Sequence, residues 1–543
     1  MRKFDGNRLF PEFRSSVERR RGGYEEKTIM KRFFILILAL CFSLSAFAGC
    51  VETGEKPKED YLLESEISID PEYTRYDIAL SNGRKTEGYG CQVDTHIFKE
   101  SNGNYYSEED FEEWLARIDD MGLQSIRTQV FPEWYERGND NGDYDLFDYE
   151  SANVKMDSAE MQQLFRLLDF CEENEILVDL SFYGCNINFQ SEDGEIDGSW
   201  LGAPFTNNWI TAPKLKDESG NAFPGYEEYA ETVYGLLNYV LNVKKYTCVT
   251  EFSVYPEPNL AFVGADGKVT HSEYVKLCKA VDEKLKKEGI RDQIDFSGPA
   301  SAVQKVTEFQ AYIDDLDCVY DKYTASTYCF NATDTNENYA DFASSLSWMT
   351  DEVGKSVGIA EFGSDYIIDP ANQTDIDTYE RALFLARYMI CLTNNGCTSM
   401  KYWVLNDIMY GTFLMRLGLW QFRNGDWKAR PQYYTWSLIC KYTEVGSEIF
   451  PIHSEDGDVC GVAFLLPDQS WTYLFCNSGD SSQKVSLVNY NRGYPKSMNV
   501  YEVRESILDG TCKPIQSSET LQIADGAVNY TLKANSFVVF STK

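Results

Sequence analysis

Apolar positions change their spacing along this chain, and the changes mark its elements. Between residues 107 and 121, Phe111, Trp114, Leu115, Ile118 and Met121 recur at intervals of three and four, which puts them on one face of a helix N-capped by Ser107. Comparable periodicity predicts helices near 158–174, 226–243, 272–288, 302–314, 342–353 and 377–395. Between them lie short, nearly unbroken apolar runs: GYGCQV (88–93), SIRTQVF (125–131), ILVDLSF (176–182), CVTEFSV (248–254), QIDFSG (293–298), DCVYDKY (317–323), SVGIAEF (356–362) and SMKYWVL (399–405). Strands apolar on both faces are covered on both faces, so runs of this kind alternating with helices predict a parallel sheet clothed by helices. Eight such units over about 350 residues predict an α/β fold closed into a (β/α)8 TIM barrel.

Past residue 450 the rhythm shortens. VCGVAFLL, SWTYLFCNS, KVSLVNY, SMNVYEV and VNYTLKANSFVVFS are separated by turn residues, with no helical stretch among them. This predicts a C-terminal all-β sandwich over 451–543, after a barrel over 76–450, with residues near 60–80 adding a strand to the sandwich. At the other end, Lys31 and Arg32 precede an apolar run from Phe33 to Ala48, then Gly49 and Cys50. The run is short for a membrane span and has the layout of a secretory signal. Small residues before a cysteine resemble the lipobox of bacterial lipoproteins, which implies Cys50 as the lipidated first residue of the mature chain. Residues 1–29 are then a mis-called start ahead of Met30, and 51–75 a polar tether from the outer face of a bacterial cell membrane.

A net charge of -36 argues against nucleic acid, which needs a basic face, and leaves the lipid as the membrane contact. At 14% aromatic the chain has rings both for cores and for lining a groove. Apart from Cys41 and Cys50 the cysteines are scattered without a CxxC pair, so no disulfide framework is expected. The three histidines, His96, His271 and His453, are too dispersed for a histidine-rich metal site or a Ser-His-Asp triad, and no cofactor or metal is expected.

In such a barrel, chemistry collects at the C-terminal ends of strands. Those positions hold Arg127 in the second strand, Glu257 past the fourth, Tyr323 and Tyr328 around the sixth, Glu361 at the seventh and Trp403 in the eighth. Glu257 is bracketed by prolines in FSVYPEPNL, which stiffens the strand end and biases Glu257 toward extended geometry. Taken singly, either glutamate is an ordinary solvated side chain, Arg127 a structural ion-pair partner, and each ring a piece of core. Taken jointly, two carboxyls from separate strands, an arginine to keep one ionised and aromatic rings suit glycosidic bond cleavage. That reaction needs a proton on the departing oxygen and negative charge at the anomeric carbon. Trp134, Tyr135, Trp200 and Trp209 lie near loops after the second and third strands, where rings could stack on sugars, and His96 follows the first strand.

The barrel resembles the clan of retaining glycoside hydrolases that includes the cellulase-like family 5. YPEPN is similar to the clan's strand-4 Asn-Glu-Pro, which implies Glu257 as acid/base; IAEFG is similar to its strand-7 motif, which implies Glu361 as nucleophile. SIRTQ resembles the strand-2 arginine segment, KYWVLND the strand-8 tryptophan, and the segment ending in Tyr328 the strand-6 His-x-Tyr, with Ser326 in place of the histidine. Pro256 replaces the clan's asparagine, whose amide reads the sugar 2-hydroxyl; Asn259 or Gln129 are the substitutes at hand. The expected function is a lipid-anchored retaining β-glycosidase acting on a polysaccharide or its oligosaccharides. The alternatives are a non-catalytic carbohydrate-binding lipoprotein with a degenerate barrel, and a transglycosylase.

Overall fold

The computed structural model describes residues 62, 67, 70–93, 106–136, 140–141, 146–182, 226–261, 271–302, 306–327, 351, 354–363, 376–410, 413–422, 425–454, 457–491 and 493–543. These residues belong to one compact unit, Asp60–Lys543. The signal segment with Cys50, most of the tether, His96, Trp200, Trp209, Tyr328 and nearly all of the 342–353 helix lie outside the described residues.

After β1 (Thr74–Ile78), eight strands close a parallel barrel: β2 (Gly88–Val93), β3 (Ser125–Val130), β4 (Leu177–Phe182), β5 (Val249–Ser253), β6 (Asp295–Ser301), β7 (Lys322–Thr327), β8 (Ser356–Phe362) and β9 (Cys397–Tyr402). β2 pairs with β9 to complete the ring. The described helices are α1 (Glu108–Met121), α2 (Ala159–Glu173), α3 (Tyr226–Asn238), α4 (His271–Lys287), α5 (Val306–Leu316), α6 (Tyr379–Asn394) and α7 (Pro431–Tyr442). α1 shows how local sequence fixes an element. Ser107 accepts from the Asp110 amide while Asp110 bonds back to the Ser107 amide, a reciprocal cap, and the five apolar residues of the stripe are all buried. Gly122 ends the helix in the left-handed conformation.

One predicted strand is displaced. The pattern of DCVYDKY predicts the sixth strand, but Val319 and Tyr320 donate to the Leu316 carbonyl at 2.9 and 3.0 Å and close the turn after α5. Their side chains are buried in the core, and the strand begins only at Lys322. An apolar helix-to-strand turn is indistinguishable from a buried strand by periodicity alone.

The barrel interior is polar. Side chains from successive strands build a chain of alternating charge that starts at Glu87, just ahead of β2. Lys322 lies 2.9 Å from Glu87 and from Glu251; Lys401 lies 3.3 Å from Glu251 and 3.9 Å from Asp179; Asp179 is 3.6 Å from Arg127, which pairs with Glu361. Gly358 makes room for this chain, since a Cβ there would stand 2.3 Å from the Ser399 hydroxyl and 3.1 Å from the Lys322 side chain. Burial alone would raise the Glu251 carboxyl, but the charges of Lys322 and Lys401 and their hydrogen bonds bring it down to about 2. The stability it contributes is therefore present above pH 4.5 and lost as the pH falls toward about 2. Lys322→Met, which leaves buried carboxylates underpaired, is expected to lower unfolding stability by ~3–5 kcal/mol in a denaturant titration at neutral pH. An unchanged midpoint would show the chain of charges to be energetically idle.

β10 (Ile408–Tyr410) and β11 (Phe413–Met415) form a small hairpin above β9. The remaining strands are β12 (Glu448–Ile452), β13 (Val459–Leu465), β14 (Trp471–Asn477), β15 (Gln483–Asn489), β16 (Ser497–Val503), β17 (Glu519–Gln522), β18 (Ala527–Leu532) and β19 (Ser536–Ser541). With β1 they make one nine-stranded sheet, ordered β17-β16-β19-β14-β13-β12-β1-β15-β18. Tyr530 of β18 and Phe540 of β19 meet at 5.1 Å although six places separate their strands, so the sheet doubles over a core of its own. The boundaries drawn at 75/76 and 450/451 fall inside β1 and β12, which both belong to this sheet. α6 and α7 fasten it to the barrel: Tyr379 donates to the Val503 carbonyl at 2.7 Å, and the rings of Tyr442 and Tyr501 lie 4.3 Å apart.

Candidate active site

Two glutamates approach each other at the C-terminal rim. β8 carries Glu361 as its penultimate residue. Opposite β7 the register skips Ala360, pairing Ala325 with Ile359 and Ser326 with Glu361. This one-residue bulge turns the Glu361 carboxyl inward. Phe362 anchors the strand end behind it, with its ring 5.5 Å from Tyr402 and 5.3 Å from Trp436.

Arg127 of β3, fully buried, donates through Nη1 to Glu361 Oε1 and to Gln92 Oε1 (2.9 Å), and through Nη2 to Ser181 Oγ (2.8 Å). With Asp179 behind it, the guanidinium is held from the two neighbouring strands, β2 and β4, and presents a fixed positive charge to Glu361.

Glu257 sits beyond β5, between buried Pro256 and Pro258, which starts the helical turn Pro258–Ala261. The sequence predicts an extended Glu257; the structure places it instead at φ 47°, in the left-handed region. For a non-glycine residue that conformation costs of order 1–3 kcal/mol and persists only where the surroundings impose it. Here the Glu257 amide donates to the Ala300 carbonyl at 3.2 Å, and Asn259 Oδ1 accepts from the Ala302 amide at 3.1 Å, so both ends of the turn are tied to β6 and its loop.

The Glu257 carboxyl is pushed up to about 8, by burial first and then by the negative charge of Glu361, against the smaller opposing pull of Arg127. The three groups thus share one electrostatic neighbourhood. At neutral pH Glu257 therefore keeps a proton it can donate, beside a Glu361 that is paired with Arg127. The raised value has a stability consequence. Glu257 binds its proton more tightly folded than unfolded, so its contribution falls as pH rises from about 4.5 to about 8 and then levels. Glu257→Gln is expected to raise the thermal midpoint at pH 8.5 relative to wild type and to leave it nearly unchanged at pH 4; equal shifts at both values would contradict that pKa.

The other site residues divide. Trp403, half-buried, follows β9 and donates its amide to the Phe362 carbonyl at 2.6 Å, which ties the eighth strand end to the seventh beside Glu361. Asn259 braces its own turn, so its side-chain oxygen is engaged with Ala302. Two expectations are corrected. Tyr323 is the second residue of β7, far from the strand's C-terminal end, and donates to Asp317 at 3.1 Å near the end of α5; the displaced strand register removed it from the rim. Trp134, 1% exposed and packed at 5.6 Å against Phe131, has no free face for a sugar. Tyr135 is also buried, donating to the Thr232 carbonyl at 2.9 Å.

Sequence reasoning missed Gln92, Ser181 and Asp179, the residues that orient Arg127. A signal was available: GYGCQV, ILVDLSF, CVTEFSV and SMKYWVL each carry a polar or charged residue inside an otherwise apolar run. An inward-facing polar residue on each strand marks a barrel lumen built on ion pairs.

No family model matches the chain, and no curated protein matches it in sequence. Solved structures do match in fold. A GH30 endoxylanase from Clostridium papyrosolvens C71 is 12% identical, with a TM-score of 0.56 over 86% of this chain and 99% of that one. An endo-β-1,6-glucanase is 14% identical, with a TM-score of 0.54 over 87% and 95%. A GH39 enzyme from Xanthomonas axonopodis pv. citri is 13% identical, with a TM-score of 0.53 over 90% and 99%. The chain therefore shares the barrel-plus-β architecture of glycoside hydrolases in families 30 and 39; the narrower likeness to family 5 draws no support from these matches.

Proposed function

We propose that this chain is a retaining β-glycosidase that cleaves O-glycosidic bonds in a polysaccharide or its oligosaccharides by double displacement. Glu257 protonates the leaving oxygen, and Glu361 attacks the anomeric carbon to form a glycosyl ester. Glu257, now the base, activates water to release the sugar. Arg127 pairs with Glu361 and orients it for attack, and Trp403 floors the sugar site. The observation that carries this reading is the opposed state of the two carboxyls at one rim, Glu257 raised to about 8 in part by Glu361, and Glu361 paired with Arg127. The Glu-Pro and Glu-Phe-Gly motifs support placement in the clan, as family 5 or a close relative.

The test is a panel of β-linked xylans, glucans, mannans and their oligosaccharides, with products sized and their anomeric configuration followed by proton NMR. Cleavage whose first-formed product is the β-anomer is expected; α-anomer first would mean inversion. Pro256 in place of the clan's asparagine favours one second reading, a non-catalytic carbohydrate binder, which would retain glycans from this panel and hydrolyse none.

Cys50 is proposed as a lipid anchor holding the enzyme on the outer face of a bacterial membrane. Cys50→Ser is expected to move the protein from the membrane fraction to the soluble fraction of its host; continued membrane association would remove the anchor.

A further inference from the structure

Two cysteines of the second sheet face each other directly. In the antiparallel pair β13–β14, Cys460 is the Cα partner of Cys476. Directly opposed residues in such a ladder stand about 4.5–5.5 Å apart at Cα and project to the same face, inside the roughly 4.4–6.8 Å span of a disulfide. Both thiols are free. Their shared face is the one that α6 covers. Cys476 Sγ lies 3.8 Å from the Leu383 carbonyl, and Arg387 reaches past the pair to the Gly457 carbonyl (2.7 Å), the Asp458 carbonyl (3.2 Å) and Ser478 Oγ.

We propose that Cys460 and Cys476 are a redox pair that closes to an intramolecular disulfide on meeting a disulfide oxidant, stapling the β13–β14 hairpin beneath α6. Their environments divide the labour. Cys460 is half-buried, the more accessible of the two, and the adjacent Cys476 thiol, helped by the charge of Arg387, holds its thiol below the ordinary range. Cys476 is fully buried and its thiol is raised by the neighbouring Cys460 and by burial, which suits the resolving partner rather than the entering nucleophile. With oxidised glutathione, the Cys460 thiolate attacks one glutathione sulfur and expels the first glutathione as a thiol. Cys476 then loses its proton and attacks the Cys460 sulfur, expelling the second. The two protons given up by the cysteines end on the two departing glutathione thiols, and the two electrons end there with them. Other neighbouring thiols lack this geometry. Among the described residues no other two cysteines are register partners across a strand pair; Cys248 donates to the Leu168 carbonyl and Cys440 to the Tyr89 carbonyl.

The experiment exposes the folded full chain to oxidised glutathione, alkylates it on denaturation, and maps the peptides by mass spectrometry without reductant. The expected result is one peptide joining Cys460 to Cys476, lighter by two hydrogens than its parts, formed equally in Cys391→Ala, where the neighbouring α6 thiol is removed. The oxidised chain is expected to unfold a few degrees above the reduced one, a difference lost in Cys460→Ser. Alkylation of both residues as free thiols, or Cys460 ending on glutathione or on Cys391, would overturn the proposal.

Discussion

Glu361→Gln is expected to abolish turnover, lowering kcat on the order of 10⁴-fold or more on every substrate the wild type cleaves. The amide is nearly isosteric but cannot form the glycosyl ester, and no other carboxylate in the described residues is both at the rim and paired with Arg127. The fold should survive, because Arg127 keeps its bonds to Gln92 and Ser181 and the charge of Asp179. A near-native thermal midpoint with no product is the predicted combination. Hydrolysis at the wild-type rate would remove Glu361 from the mechanism, and loss of the fold would transfer its importance to the ion-pair chain.

The second large effect is at Glu257, and it depends on the leaving group. A polysaccharide alkoxide departs only with a proton, so Glu257→Ala should cost about 10²–10⁴-fold on natural linkages. On an activated aryl glycoside, whose phenolate leaves unaided, glycosylation should be nearly spared and release of the ester should become slow. Azide, small enough for the space left by the side chain, should rescue that second step and give a β-glycosyl azide. The wild-type kcat/KM should fall at alkaline pH with an apparent value near 8 as Glu257 loses its proton, and the variant should lack that limb. Equal losses on both substrate classes, with the limb retained, would take the proton-donor role away from Glu257.

How far these residues were legible in the sequence follows from the kind of signal each leaves. Glu257 and Glu361 were legible because each ends an apolar run and because those runs could be counted to the fourth and seventh places. Arg127 was legible because a cation inside SIRTQVF needs a buried partner. Tyr323 was misplaced because Val319 and Tyr320 are as apolar as a strand yet serve a helix-to-strand turn, which slid the sixth strand by several residues. Trp134 was misplaced because an aromatic ring after a strand packs into its own loop as readily as it faces a ligand. The left-handed backbone of Glu257 was not legible at all. Proline predicts an extended predecessor, and the long-range bonds that tie Glu257 to Ala300 and Asn259 to Ala302 override that bias. The alternating ion pairs of the lumen were visible as single charges in apolar runs, but their order around the ring required the closed barrel.

The account rests on Glu361 receiving the sugar while Glu257 supplies the proton. The most direct measurement incubates the enzyme with 2-deoxy-2-fluoro-β-glycosides bearing activated leaving groups, in the xylo, gluco and manno series, and locates the adduct by peptide mass spectrometry. A single glycosyl ester on Glu361, in wild type and in Glu257→Ala alike, is predicted. An adduct on any other residue, or no adduct from the sugar series that the enzyme is seen to hydrolyse, would contradict it.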